Sequence, residues 1–186
     1  MRRKIEKRTG WQWMIIIIAA AALGLSEPCR GEPSREALVK AAFVYNFTQF
    51  VQWPENALGE KGTPFIVAVV GDDPFGGALE KAMANKAVEG HPVAVKYFAS
   101  ADQIQACQLL FVPVPEDGAT PAILAKVAGT RVLTVGEGDS FMPSGGGIRL
   151  FIEDGRMRFE LDPDVLDASN LKASAKLMKL ARIYKK

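Results

Sequence analysis

The sequence predicts an α/β fold: a mostly parallel sheet flanked by helices on both faces, with an antiparallel C-terminal hairpin at the sheet margin. Three observations carry this. The nearly continuous apolar runs PFIVAVV at 64–70 and QLLFV at 108–112 have the composition of strands buried on both faces. Between such runs lie segments of helical spacing, and strands alternating with helices favour right-handed parallel crossovers. Past Gly136 the pattern changes to polar and apolar residues in alternation on either side of Asp154-Gly155, a strong hairpin signal.

Taken in order, the first predicted helix covers 34–51, SREALVKAAFVYNFTQFV, with Leu38, Ala42 or Phe43, Phe47 and Phe50 on one face. Ser34 suits its N-cap and Glu36 its first turn. Trp53-Pro54 ends it, because proline disfavours helix in the residue before it. Most of the aromatics Phe43, Tyr45, Phe47, Phe50 and Trp53 belong in the core, with one or two left to dock against a partner. After a Gly/Pro/Lys turn comes the strand at 64–70. A helix at 75–84, a strand at 92–97, a short helix at 101–106, the strand at 108–112, a helix at 120–128 and a strand at 131–135 follow. The hairpin joins GIRLFIE at 147–153 to RMRFEL at 156–161, and outward-facing Arg149, Arg156, Arg158 and Glu160 predict one solvated face. Residues 162–184 form one long helix or two short ones, with Leu171, Ala175, Met178 and Ala181 or Arg182 in helical spacing.

Residues 1–31 read as a signal peptide. Arg2, Arg3, Lys4, Lys7 and Arg8 form a basic start, and Met14 to Leu25 is an uncharged run of about a dozen residues, short of the roughly 20 that span a bilayer. Cleavage after Gly31 leaves 32–186 as a single exported domain with no membrane insertion of its own; an uncleaved anchor is the alternative. Taking the six basic and two acidic side chains of this leader from totals of 23 and 21 leaves 17 against 19. The remainder is nearly neutral and shows no single-sign patch, which removes the electrostatic basis for binding nucleic acid or an anionic membrane. Cys107 is then the sole cysteine of the mature chain. Its neighbours Leu109, Leu110 and Phe111 predict a buried, inert thiol.

Gly71-Asp72-Asp73-Pro74-Phe75-Gly76-Gly77 has the layout of a phosphate loop but lacks its chemistry. The lysine and hydroxyl that follow the second glycine of a Walker A loop are replaced by Gly77 and Ala78. Asp73 stands where the dinucleotide fingerprint needs a glycine, and two carboxylates occupy the place an anion would take. The segment is expected to be a turn, with Asp73 capping the next helix and Pro74 in its first turn. His91, the only histidine, stands in a turn and is expected at the solvated surface. One histidine and one mature cysteine exclude a zinc site with several N/S ligands. Ser140 and Ser144 lack a nucleophile elbow, and the carboxylate pairs Asp72/Asp73 and Glu153/Asp154 read as cap and turn residues. No catalytic, cofactor or metal site is predicted, and the chain is read as a non-enzyme.

Lys40-Ala41-Ala42-Phe43-Val44-Tyr45-Asn46-Phe47, Phe50-Val51-Gln52-Trp53-Pro54, Val69-Val70-Gly71-Asp72-Asp73-Pro74-Phe75-Gly76, Gly145-Gly146-Gly147-Ile148 and Arg156-Met157-Arg158-Phe159-Glu160 together resemble the YfiR family of exported proteins over about residues 35 to 183. The resemblance implies a periplasmic protein that binds the periplasmic domain of an inner-membrane diguanylate cyclase and inhibits it, restraining cyclic-di-GMP signalling and biofilm formation. It also implies a homodimer, and redox control through disulfides. Here the sequence departs, since Cys107 matches a family cysteine but Ala68 stands where its partner would lie. Matching the G-G-x-I and R-x-R-F-E motifs carries the family's partner contacts to Ile148, Glu160 and Leu166. Ile148 also fits a core position, and Glu160 an ordinary cross-strand charge. Read as a contact, Glu160→Lys releases the cyclase without lowering the melting temperature. The alternative function is a periplasmic small-molecule-binding module, with its site at the strand ends.

Overall fold

The computed structural model describes residues 32–185, and the leader predicted at 1–31 lies outside the described residues. Helix α1 (Arg35–Phe50) begins where Ser34 predicts, its Oγ accepting from the Ala37 N–H at 3.1 Å. The buried face is rotated from the expected one. Ala37, Lys40, Ala41, Val44, Phe47 and Thr48 point inward, while Leu38 is 50% exposed. Ala37 and Ala41 give the reason: small side chains let the helix approach the sheet closely, where Leu38 would hold it off.

The chain leaves α1 as β1 (Val51–Gln52) and α2 (Glu55–Leu58). Between them Trp53 turns inward, donating its Nε1–H to the Gln108 carbonyl at 3.2 Å and meeting Phe65 edge-on with centroids 4.9 Å apart. Strands β2 (Phe65–Val70), β4 (His91–Phe98), β5 (Leu109–Val112), β6 (Leu133–Gly136) and β7 (Ile148–Glu153) form the parallel part of the sheet. β8 (Arg156–Leu161) returns antiparallel to β7, β3 (Ala87–Val88) pairs antiparallel with β4, and β10 (Arg182–Ile183) adds on parallel to β8. The order of this eight-stranded sheet is β10-β8-β7-β6-β5-β2-β4-β3. A separate antiparallel pair ties β1 to β9 (Lys172–Ala173).

Strand residues alternate between two cores, as a sheet covered on both faces requires. On one face Val67, Val69, Leu109, Phe111, Val135, Ile148 and Phe159 pack against α1, α3 (Ala78–Met83), α5 (Pro163–Ala168) and α6 (Ala175–Leu180). On the other, Ala68, Val70, Leu110 and Val112 meet α4 (Thr120–Val127) and the loop residues Phe141 and Met142. The fold class is the one predicted.

Several local expectations are corrected. The helix expected from 75 starts only at Ala78, because Gly76 and Gly77 hold positive φ; Asp73 instead closes a turn, its Oδ1 accepting from the Phe75 N–H at 2.8 Å. The helix expected at 101–106 is a single 3₁₀ turn, Ala101–Gln103. Of the two forms expected for 162–184, the two short helices are the one formed, separated by Asn170 at φ 56° and by β9. His91 is buried rather than solvated, with Nδ1 2.9 Å from the Thr63 carbonyl.

Candidate functional site

The three residues singled out by motif converge on the base of the β7–β8 hairpin. Asp154 and Gly155 both take positive φ, as a type I′ turn demands, and the ladder runs from Glu153↔Arg156 to Ile148↔Leu161 in unbroken register. Inward, Ile148, Leu150, Phe159 and Leu161 are buried, and Phe159 closes an aromatic cluster with Phe43 and Phe47 at centroid distances of 6.0 and 5.2 Å. Outward, Arg149 and Glu160 stand opposite each other, with Nε 2.6 Å from Oε1.

None of Ile148, Glu160 and Leu166 presents a side chain to solvent. Ile148 and Leu166 are buried in the core, and Glu160 is only 6% exposed beneath Arg149. What the three residues do is seat the hairpin. Leu166, on α5, lies under Gly147, where an added Cβ would come within 3.1 Å of both Leu166 Cδ1 and the Thr134 carbonyl. Gly147 donates its N–H to Thr134 Oγ1 at 2.9 Å and accepts from the Asp162 N–H at 3.0 Å. Phe141 is clamped between Gly136 and Gly146, at each of which a Cβ would collide with its ring. The glycine-rich motif is thus a packing device for the start of β7.

The surface that this base supports combines charge with one aromatic ring. Phe151 lies between two guanidinium groups, Arg149 at 5.6 Å and Arg182 at 4.6 Å from its ring centroid. Arg182 is also ion-paired with Glu153, which Arg158 approaches at 3.5 Å, and Arg149 reaches Asp139 at 2.5 Å. Sequence alternation places these side chains on one face but cannot show that Arg182, nearly thirty positions from Glu153, completes the group. On the opposite face Ile152 is 58% exposed beside the half-buried Phe43 and Met157. β6 pairs only with Ile148 and Arg149, so Leu150–Glu153 extend past it and the hairpin tip stands clear of the parallel sheet.

Other candidates resolve as structural. At Gly71, a Cβ would lie 2.4 Å from Glu116 Oε1, so a carboxylate fills the crevice at the carboxyl ends of β2 and β5 where a ligand would be sought. Tyr97 donates to Asp73 Oδ1 at 3.3 Å, and burial, with Glu80 and Asp73 beside it, drives its phenol far above the usual range. Burial pushes the Cys107 thiol up to about 12, as expected of an inert cysteine. No group of three or more metal-ligating side chains occurs among the described residues. No helix among them is long and apolar enough to cross a membrane. A family model described as YfiR/HmsC-like matches residues 37–182, which include the whole hairpin and its supports. A search of the curated proteins found no match.

Proposed function

This chain belongs to the YfiR/HmsC-like family, and from that premise we propose that it is a regulatory, non-catalytic protein of the periplasm. It binds the periplasmic domain of an inner-membrane diguanylate cyclase and holds the enzyme inactive, restraining cyclic-di-GMP signalling and biofilm formation. Export by residues 1–31 is part of this proposal. The observation that supports it is the hairpin: a rigidly seated projection with an Arg/Glu/Phe151 face on one side and an exposed isoleucine on the other. Within it, Ile148, Glu160 and Leu166 act from behind, by fixing the position of Arg149, Phe151 and Ile152. Partner-binding effects attributed to them would therefore be transmitted through the surface they support. The small-molecule alternative is disfavoured by Glu116, which fills the strand-end crevice against Gly71.

Ile152→Asp tests the reading, since an exposed position tolerates a charge while a contact does not. Expressed in place of the native protein, it should raise cellular cyclic di-GMP to the level of a deletion strain with an unchanged melting temperature. A deletion strain with the same cyclic-di-GMP level as its parent would sink the function altogether.

A further inference from the structure

The hairpin leaves one sheet edge unfinished. β10 lies beside only Glu160 and Leu161, so among the described residues Arg156–Phe159 have a strand on one side only. Ladder geometry fixes which backbone groups face outward. Glu153 and Arg156 flank a two-residue turn and exchange hydrogen bonds, which leaves Met157, Phe159 and Leu161 as the outward set. The Leu161 carbonyl confirms this phase by accepting from the Tyr184 N–H at 2.9 Å. Met157 therefore turns its N–H and C=O away from β7.

Side chains beside this edge differ by face. Inward, Val39, Phe43, Ile152 and Met157 form the apolar part of a cavity of about 440 Å³ between α1 and the hairpin tip, which Arg35, Glu36 and Arg156 also line. Outward, Arg158 and Arg182 share the single carboxylate of Glu153, while Arg156, whose side chain also borders the cavity, makes no ion pair among the described residues. Arginine is in excess along the strand.

We propose that this edge receives an extended segment of a partner protein in which apolar and acidic residues alternate. The segment's backbone pairs with Met157, its apolar side chains enter the cavity, and its carboxylates meet Arg156 and Arg158. Charge selects this occupant over a second copy of the chain: two β8 edges meeting about a two-fold axis would set these arginines against each other. The assignment rests on the reading of the hairpin as the partner surface and specifies how that surface binds.

The test uses the full exported protein and three fluorescein-labelled decapeptides, followed by anisotropy. One alternates valine and glutamate, one carries lysine in place of glutamate, and one repeats the first with every backbone nitrogen methylated. The glutamate peptide should bind at least tenfold more tightly than either of the others. Met157→Pro removes the outward N–H while sparing the bonds to β7, and should weaken binding tenfold relative to Met157→Ala. Equal binding of the three peptides overturns the proposal, even where Met157→Pro fails to fold. So does equal binding by the two Met157 variants, or self-association of the chain that Met157→Pro abolishes, which would give the edge to a second copy. Because no cyclase is present in this assay, its failure would leave cyclase inhibition standing, whereas an unaltered deletion strain would remove cyclase inhibition and leave the peptide result intact.

Discussion

Glu160 illustrates how burial changes the meaning of a substitution. Its carboxylate lies 2.6 Å from Arg149 Nε and nearly out of water, so Glu160→Lys would press one cation against another rather than trim a surface contact. Breaking a pair of this kind costs about 3 kcal/mol. The melting temperature is therefore expected to fall by several degrees, in place of the unchanged value that a contact residue would give. The exchange of both charges, Arg149→Glu with Glu160→Arg, should recover part of the loss in the same thermal scan. Cys107 and Tyr97 make a second prediction at this scale. Each is held protonated in the folded state, Cys107 by burial up to about 12 and Tyr97 by burial and the carboxylates of Glu80 and Asp73. A group whose folded pKa is raised contributes stability below its unfolded value and loses it above. Urea midpoints should hold steady at neutral pH and decline from about pH 9 upward, the range where an unfolded cysteine and then tyrosine ionise. Cys107→Ala and Tyr97→Phe should each flatten that decline; a slope unaffected by either substitution would refute the assignment.

Among the elements, the glycine-rich segment before β7 shows that a flexible-looking sequence can be a rigid seat. An added methyl at Gly146 would lie 2.1 Å from Phe141 Cε1, and the ring cannot retreat because Gly136 backs its other side. Gly146→Ala should cost about 1–3 kcal/mol by overpacking, seen as a lower urea midpoint, and Phe141→Leu in the same chain should relieve it. This contact also marks where sequence reasoning stops. Apolar runs gave β2 and β5, and alternation with Asp154-Gly155 gave the β7–β8 ladder, because those signals depend on near neighbours along the chain. The inward face of α1 is legible at Phe43, Phe47 and Phe50 but not in its first turns, because Leu38 and Ala42 fit the helical period as well as Ala37 and Ala41 do, and only the distance to the sheet decides between them. Strands β1, β9 and β10 have two residues each and no pattern of their own; β1 and β9 exist through pairing across more than a hundred positions. The base of the hairpin was located by motif, but its burial depends on α5 and on Arg149, which no local pattern reveals.

Across the whole molecule, one buried ion pair links the N-terminal helix to the loop that serves the hairpin. Lys40 occupies a position on the inward stripe of α1 where the neighbouring pattern is apolar, and its Nζ lies 2.7 Å from Glu137 Oε1, with both side chains almost fully enclosed. Glu137 immediately follows β6, and Asp139, two residues on, holds Arg149. The pair therefore fixes the register between α1, which carries the inner wall of the proposed binding cavity, and the loop that positions the outer Arg149–Phe151 face. Removing Lys40 strands the Glu137 carboxylate in a poorly solvated place and costs about 3–5 kcal/mol, whereas Lys40 without Glu137 keeps Glu36 at 3.7 Å, and replacing both by apolar groups of similar volume is often nearly neutral. Lys40→Met alone should lower the urea midpoint strongly and Glu137→Leu alone by less, and the double variant should return most of the larger loss, giving a large coupling in the cycle. If the pair also sets hairpin geometry, the stable double variant should bind the glutamate decapeptide more weakly than the native chain. Additive losses in the single and double variants would show that Lys40 and Glu137 are independently solvated and that α1 and the hairpin are held together by apolar packing alone.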